Sequence, residues 1–242
     1  MMAEDAGDGT AGQEIPQPAR FVLDAESERD AVRILAKYPP GRQASGVIPL
    51  LYIAQRQMGR QTGSAWLPRA AMDAVAARLQ MPPIRVYEIA TFYTMFNTSP
   101  VGRYHLQICT TTPCWLRGSD EVVEACRNLT GIEGWHETSA DGMFTMTEVE
   151  CLGACVNAPI LQVNDDFYED MDGMKTVELL SALRRGERPA PGSMAGRQTS
   201  APAGGPTTLT TLEHLGADAA RAPVPPPFGA AAYPEPATMD AT

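Results

Sequence analysis

No apolar stretch of this sequence is long. The longest, Val47 to Ala54, falls far short of the ~20 residues that cross a bilayer, so no membrane span is expected. Basic residues are in deficit, 19 against 29 acidic, and the resulting net charge of −10 argues against nucleic acid or any partner bound chiefly by phosphate neutralisation. Histidines are few and scattered (His105, His136, His214), and each reads as a satisfied or solvated side chain rather than a ligand or base. A nucleophile elbow, a phosphate loop and paired carboxylates beside a histidine are all missing, so nothing points to hydrolysis. Met1 to Arg20 carry four acids and no apolar core, unlike a secretory signal or an Arg-rich transit peptide, and a reducing compartment is expected. The glycine fingerprint Gly7-x-Gly9-x-x-Gly12 is preceded by no apolar strand and followed by Pro16 and Pro18, so it is not read as a dinucleotide site.

What remains is a soluble composition, 44% hydrophobic and 20% charged, whose periodicity changes along the chain and predicts an α+β protein. Residues 1–20 read as a disordered tail. Over 21–98 the period is helical, with stripes at Ala31, Ile34, Leu35 and Tyr38; at Val47, Leu50, Leu51, Ala54 and Met58; at Met72, Val75, Ala76 and Leu79; and at Val86, Ile89, Ala90 and Tyr93. Ser27 and Asp30 are placed as a capping box, Pro49 is tolerable in a first turn, and the fourth helix is entered through Pro82 and Pro83. A small helical bundle follows, with Phe92 and Phe96 read as core rather than as a cofactor box.

Over 99–186 the pattern is that of a thioredoxin-like domain. Tyr104 to Cys109 alternates as a strand, Ser119 N-caps a helix, Phe144 to Glu150 forms a second strand, Ile160–Val163 and Phe167–Tyr168 make a hairpin, and Met174 to Arg185 closes the unit as a helix. The acids from Asp165 to Asp172 do not match a calcium loop and read as a solvated hairpin tip or a charged contact with a partner. Residues 187–242 hold ten of the 21 prolines and read as a disordered tail whose removal should cost little.

Five cysteines, an odd number in a reducing compartment, point to metal or redox chemistry rather than a disulfide framework. Cys109 and Cys114 are spaced C-x4-C, Cys151 and Cys155 C-x3-C, and each pair follows a predicted strand. If those strands are parallel neighbours, both loops leave the same edge of the sheet and four thiols converge. A [2Fe-2S] cluster, structural zinc and unliganded cysteines all remain open on spacing alone. Thr110 to Thr112 and the small Gly153 and Ala154 favour the cluster, because hydroxyls and free amides stabilise its negative charge. Cys126 lies on an apolar stripe and reads as a small hydrophobe. A disulfide reductase is disfavoured because no C-x-x-C pair ends the first strand.

The segments Cys109-Thr-Thr-Thr-Pro-Cys114-Trp-Leu-Arg-Gly-Ser119 and Glu148-Val-Glu-Cys151-Leu-Gly-Ala-Cys155-Val-Asn-Ala-Pro159 resemble the NuoE-type subunit of respiratory complex I, the NADH:quinone oxidoreductase. Tyr38-Pro-Pro-Gly-Arg-Gln and Tyr87 to Phe96 are similar to the helical part of that family, and the resemblance covers about Phe21 to Gly186. It implies a thioredoxin-like ferredoxin domain in which Cys109, Cys114, Cys151 and Cys155 hold one [2Fe-2S] cluster. It also implies an electron carrier that belongs to a larger oxidoreductase, beside a flavoprotein subunit carrying FMN and binding NADH, together with other peripheral-arm subunits of the complex. The implied location is peripheral, on the cytoplasmic face of the bacterial inner membrane. The same unit occurs in NAD-linked hydrogenases and formate dehydrogenases, which are the alternative parents, and a zinc-binding adaptor is a third reading.

Overall fold

The computed structural model describes residues 17–197, 199, 200 and 204; the Gly7–Gly12 fingerprint, His214 and the prolines from Pro202 onward lie outside them. The chain divides into two compact units, one reaching to Gln61 and resuming over Ala65–Pro100, the other comprising Thr62–Ser64 and the chain from Val101.

The first unit is helical: α1 (Ala25–Leu35), α2 (Val47–Thr62), α3 (Arg69–Leu79) and α4 (Pro83–Phe92). The Asp24 side chain accepts from the Ser27 amide at 2.8 Å, so α1 starts before the expected Ser27/Asp30 box. Ser27 then lies inside the helix, where its hydroxyl accepts from Arg60 at 2.9 Å. An acid three residues upstream offers the same cap and lengthens the helix. Pro49 falls in the first turn of α2 and Pro83 opens α4, positions whose amides have no helical partner anyway. Leu50, Leu51, Ala54, Leu67, Val75, Val86 and Ala90 fill the core.

Two buried glutamines on α2 fasten the ends of this unit. Gln57 accepts from the Asp24 amide at 2.9 Å and donates to the Val22 carbonyl at 2.8 Å. Gln55 donates to the Met95 carbonyl at 3.1 Å and accepts from the Asn97 amide at 2.8 Å. Phe96 packs on Tyr52 with ring centroids 5.1 Å apart, as a core residue should. Phe92 does not: it is 77% exposed, because Val86 and Ala90 turn the opposite face of α4 inward.

The second unit is built on a six-stranded sheet ordered β2-β3-β1-β4-β5-β6, with β1 (Tyr104–Cys109), β2 (Glu137–Thr138), β3 (Phe144–Val149), β4 (Leu161–Val163), β5 (Asp166–Glu169) and β6 (Gly192–Ser193). β1 and β3 are parallel, in register from Tyr104 opposite Phe144 to Cys109 opposite Val149, while β4 runs antiparallel to β1 and β5 to β4. Gly102 sets the start of β1: a Cβ there would lie 2.8 Å from the Phe144 backbone. The connection from β1 to β3 carries α5 (Thr112–Leu116) and α6 (Ser119–Thr130), and α7 (Gly173–Arg184) packs beside α6. Leu106, Ile108, Val122, Cys126, Phe144, Met146, Leu179 and Leu180 form the core between sheet and helices, so Cys126 is a packing residue.

In this second unit the structure corrects three further expectations. Ser119 is the first residue of α6 rather than its cap; Gly118, at φ +94, takes the cap position. The acids after the hairpin are not merely solvated, since Asp172 caps α7 through the Lys175 amide at 2.8 Å and Asp170 is ion-paired with Arg197. Finally, the segment after Gly186 does not begin as a tail. It adds β6 in parallel to β5, and the Tyr168 hydroxyl donates to the Pro189 carbonyl at 3.0 Å. Pro189 and Pro191 both precede a two-residue edge strand, where a missing amide interrupts no ladder, and proline content alone hides such a strand.

Candidate functional site: four thiols at one sheet edge

Because β1 and β3 are parallel and end together at Cys109 and Val149, the loops that follow leave the sheet on the same side. After β1 the chain turns into α5, which carries Cys114; after β3 it passes through Cys151 and a tight turn to the 3₁₀ helix Cys155–Asn157. Gly153, at φ +80, lets that turn close, and its amide donates to the Cys151 sulfur at 3.4 Å. The Thr110 hydroxyl donates to the Glu148 carboxylate and ties the first loop back to β3.

All five cysteines are free thiols. Four of them form two pairs. The Cys151 and Cys155 sulfurs are 3.2 Å apart, and the Cys109 and Cys114 thiols interact with each other. The pairs also feel one another, since Cys109 and Cys155 are in electrostatic reach. Ala158 and Ile160 pack with Cys109 and Cys114, so this pair is dry, at 1% and 0% exposure, whereas Cys151 faces solvent. Trp115 and Leu116, just after Cys114, and Val156, just after Cys155, are exposed apolar side chains.

The two buried thiols differ in acidity. Burial works against ionisation of Cys109, but hydrogen bonds from Thr111, whose hydroxyl lies 3.2 Å from the sulfur, and from the Leu152 amide bring it below the ordinary thiol value. Cys114 is pushed up to about 12 by burial and by the hydrogen bond it shares with Cys109. Burial likewise pushes Cys126, in the core, up to about 12. A metal ion at the site overrides this difference, because each coordinated thiol loses its proton outright.

Among the described residues no three His, Cys, Asp or Glu side chains converge closely enough to hold a single metal ion. Two thiol pairs fit a two-iron unit with bridging sulfides, and the Thr111, Leu152 and Gly153 donors around the sulfurs suit its negative charge.

The thioredoxin-like [2Fe-2S] ferredoxin family matches residues 31–184, which hold all four thiols and most of both units. The chain belongs to this family. Its relatives there include the E subunit of the NADH-quinone oxidoreductase of Rickettsia conorii, 50% identical over 164 residues that cover 68% of this chain and 95% of the relative. The mitochondrial NADH dehydrogenase [ubiquinone] flavoprotein 2 of Dictyostelium discoideum is 46% identical over 177 residues, covering 73% of this chain and 69% of that protein. The solved thioredoxin-like [2Fe-2S] ferredoxin of Aquifex aeolicus aligns with a TM-score of 0.30 at 22% identity, covering 35% of this chain and 84% of that chain. The family's cofactor is one [2Fe-2S] cluster.

The four cysteines named from the sequence lie at one sheet edge as two pairs, and the backbone donors beside them were missed. Leu152 and Ile160 act through backbone amides, which no side-chain pattern reveals. His105 is placed as expected, buried and satisfied, with its Nε2 2.8 Å from the Thr147 hydroxyl.

Proposed function

We propose that this chain is the electron-transfer subunit of an NADH:quinone oxidoreductase, and that Cys109, Cys114, Cys151 and Cys155 are the ligands of its single [2Fe-2S] cluster. One observation carries the reading: the two cysteine loops leave a parallel strand pair side by side, in a chain 50% identical to the E subunit of that enzyme in Rickettsia conorii. When bound, the cluster accepts and returns one electron at a time. Each side chain then has a definite task. The four thiolates hold the irons, the Thr111 hydroxyl and the Leu152 and Gly153 amides spread the sulfurs' negative charge, and Ala158 and Ile160 keep water from the inner pair.

The partner is a flavoprotein subunit that carries FMN and binds NADH. Hydride chemistry delivers two electrons together, and a flavin divides them for a one-electron acceptor. The exposed side chains of Trp115, Leu116 and Val156 offer such a subunit apolar contacts near the cysteines in sequence. Among the described residues no helix is long and apolar enough to cross a membrane, and the chain joins the complex through its partners, on the cytoplasmic face of the inner membrane. The decisive test is spectroscopic. The purified chain should be red-brown, show a [2Fe-2S] electron paramagnetic resonance signal on reduction, and lose or alter that signal when any of the four cysteines becomes serine. A colourless zinc-loaded protein would overturn the reading.

A further inference from the structure

The 3₁₀ helix Cys155–Asn157 is held from outside its own loop. The Val156 carbonyl accepts from Nη2 of Arg197 at 3.1 Å, and the Asn157 side-chain Nδ2 donates to the Thr199 carbonyl at 2.7 Å. Two successive residues after Cys155 are therefore tied to a segment some 40 positions along the chain. That segment is itself anchored at Asp170. Arg197 donates to this carboxylate through Nη2 and, at 3.0 Å, through Nε, while Ser193 donates to it at 2.6 Å. The Asp170 amide in turn donates to the Asn157 carbonyl at 2.6 Å, and its own carbonyl accepts from Lys175 at 2.7 Å. The side chains of Arg197 and Asp170 are only 15% and 13% exposed, so the pair is shielded from salt in a way a surface contact is not. Asp170 sits at φ +55, a left-handed conformation rare for residues other than glycine and held here by contacts on every side.

We propose that Arg197, clasped by Asp170, is a positioning residue for the cluster site. It fixes the turn that presents the Cys155 thiolate and keeps a compensated charge pair beside it. This rests on the reading that Cys155 is a ligand. The guanidinium suits the task because its fork can reach a carboxylate and a carbonyl at once, which a lysine ammonium on a flexible stem does less well. Loss of Arg197 removes the guanidinium from the Asp170 carboxylate and leaves it the Ser193 hydroxyl and the more distant Lys175 charge. Added negative charge there makes acceptance of an electron less favourable and lowers the reduction potential.

The test uses the full chain carrying its cluster, as wild type, Arg197→Ala, Arg197→Lys, Asp170→Asn and Cys155→Ser. Cluster release to a chelator, reduction potential, the reduced-state paramagnetic resonance spectrum and melting temperature are measured for each. Arg197→Ala should release the cluster several-fold faster, with a lower potential and a changed spectrum. Arg197→Lys should restore most of the potential, because the charge is kept, but not the slow release, because the fork is lost. Asp170→Asn should also speed release. If Arg197→Ala matches wild type in release, potential and spectrum, or changes only the melting temperature, the positioning role is overturned while the ligand assignment stands. If Cys155→Ser leaves the spectrum unchanged, the ligand assignment fails and the proposal fails with it.

Discussion

Cys109 stands directly opposite Val149 in the parallel ladder, two residues before Cys151 enters the neighbouring loop. That register brings residues about 40 positions apart to one edge, while Cys126 lies in the core between sheet and helices. Serine at Cys109, Cys114, Cys151 or Cys155 is expected to abolish or distort the reduced-state resonance signal. Cys126→Ala should keep the signal and cost about 1 kcal/mol by chemical denaturation, the loss of one buried sulfur.

The division of labour with a flavin is tested by bleaching. NADH should leave the isolated chain oxidised, whereas dithionite should reduce it; with an FMN-carrying flavoprotein subunit present, NADH should bleach it too. Rapid reduction of the flavin-free chain by NADH would contradict the reading.

Acid should destabilise the second unit through His105. Burial, aided by the nearby His136, lowers its pKa from 6.5 to about 4, so below 6.5 the unfolded chain takes up a proton that the folded chain refuses. Stability from this group is intact above about 6.5, falls by ~3 kcal/mol as the pH drops towards 4, and levels off below. His105→Gln retains a partner for Thr147 and should flatten that part of the pH profile, read from denaturation midpoints. An unchanged slope would show that another group is responsible.

In the helical unit, Gln57 is 1% exposed and bonds to both Asp24 and Val22. Gln57→Ala removes two hydrogen bonds and leaves a void, at an expected cost of about 2–3 kcal/mol. Cluster spectra of the variant should be those of the wild type.

The strands, the helices and the four thiols were legible because each rests on a local signal: alternation, a 3.6-residue stripe, or a cysteine spacing beside a strand end. What could not be read rests on contacts between distant positions. Gln55 and Gln57 look like a polar interruption of α2, and only the fold shows that their amides fasten the chain at Val22, Asp24, Met95 and Asn97. Arg197 lies among prolines and small residues, and nothing in that composition points back to Asp170 or Val156. Phe92 was misread because a stripe assigned by residue type cannot tell which side of a short helix meets its neighbours.

Both outer strands of the sheet, β2 and β6, are only two residues long. A sheet is open to pairing with a second copy along its margins, and a margin this short offers almost no ladder to extend. The chain therefore exposes Trp115, Leu116 and Val156 without also presenting a long backbone edge among the described residues. Its association is left to side-chain recognition, which can discriminate between partners, rather than to backbone pairing, which accepts nearly any strand.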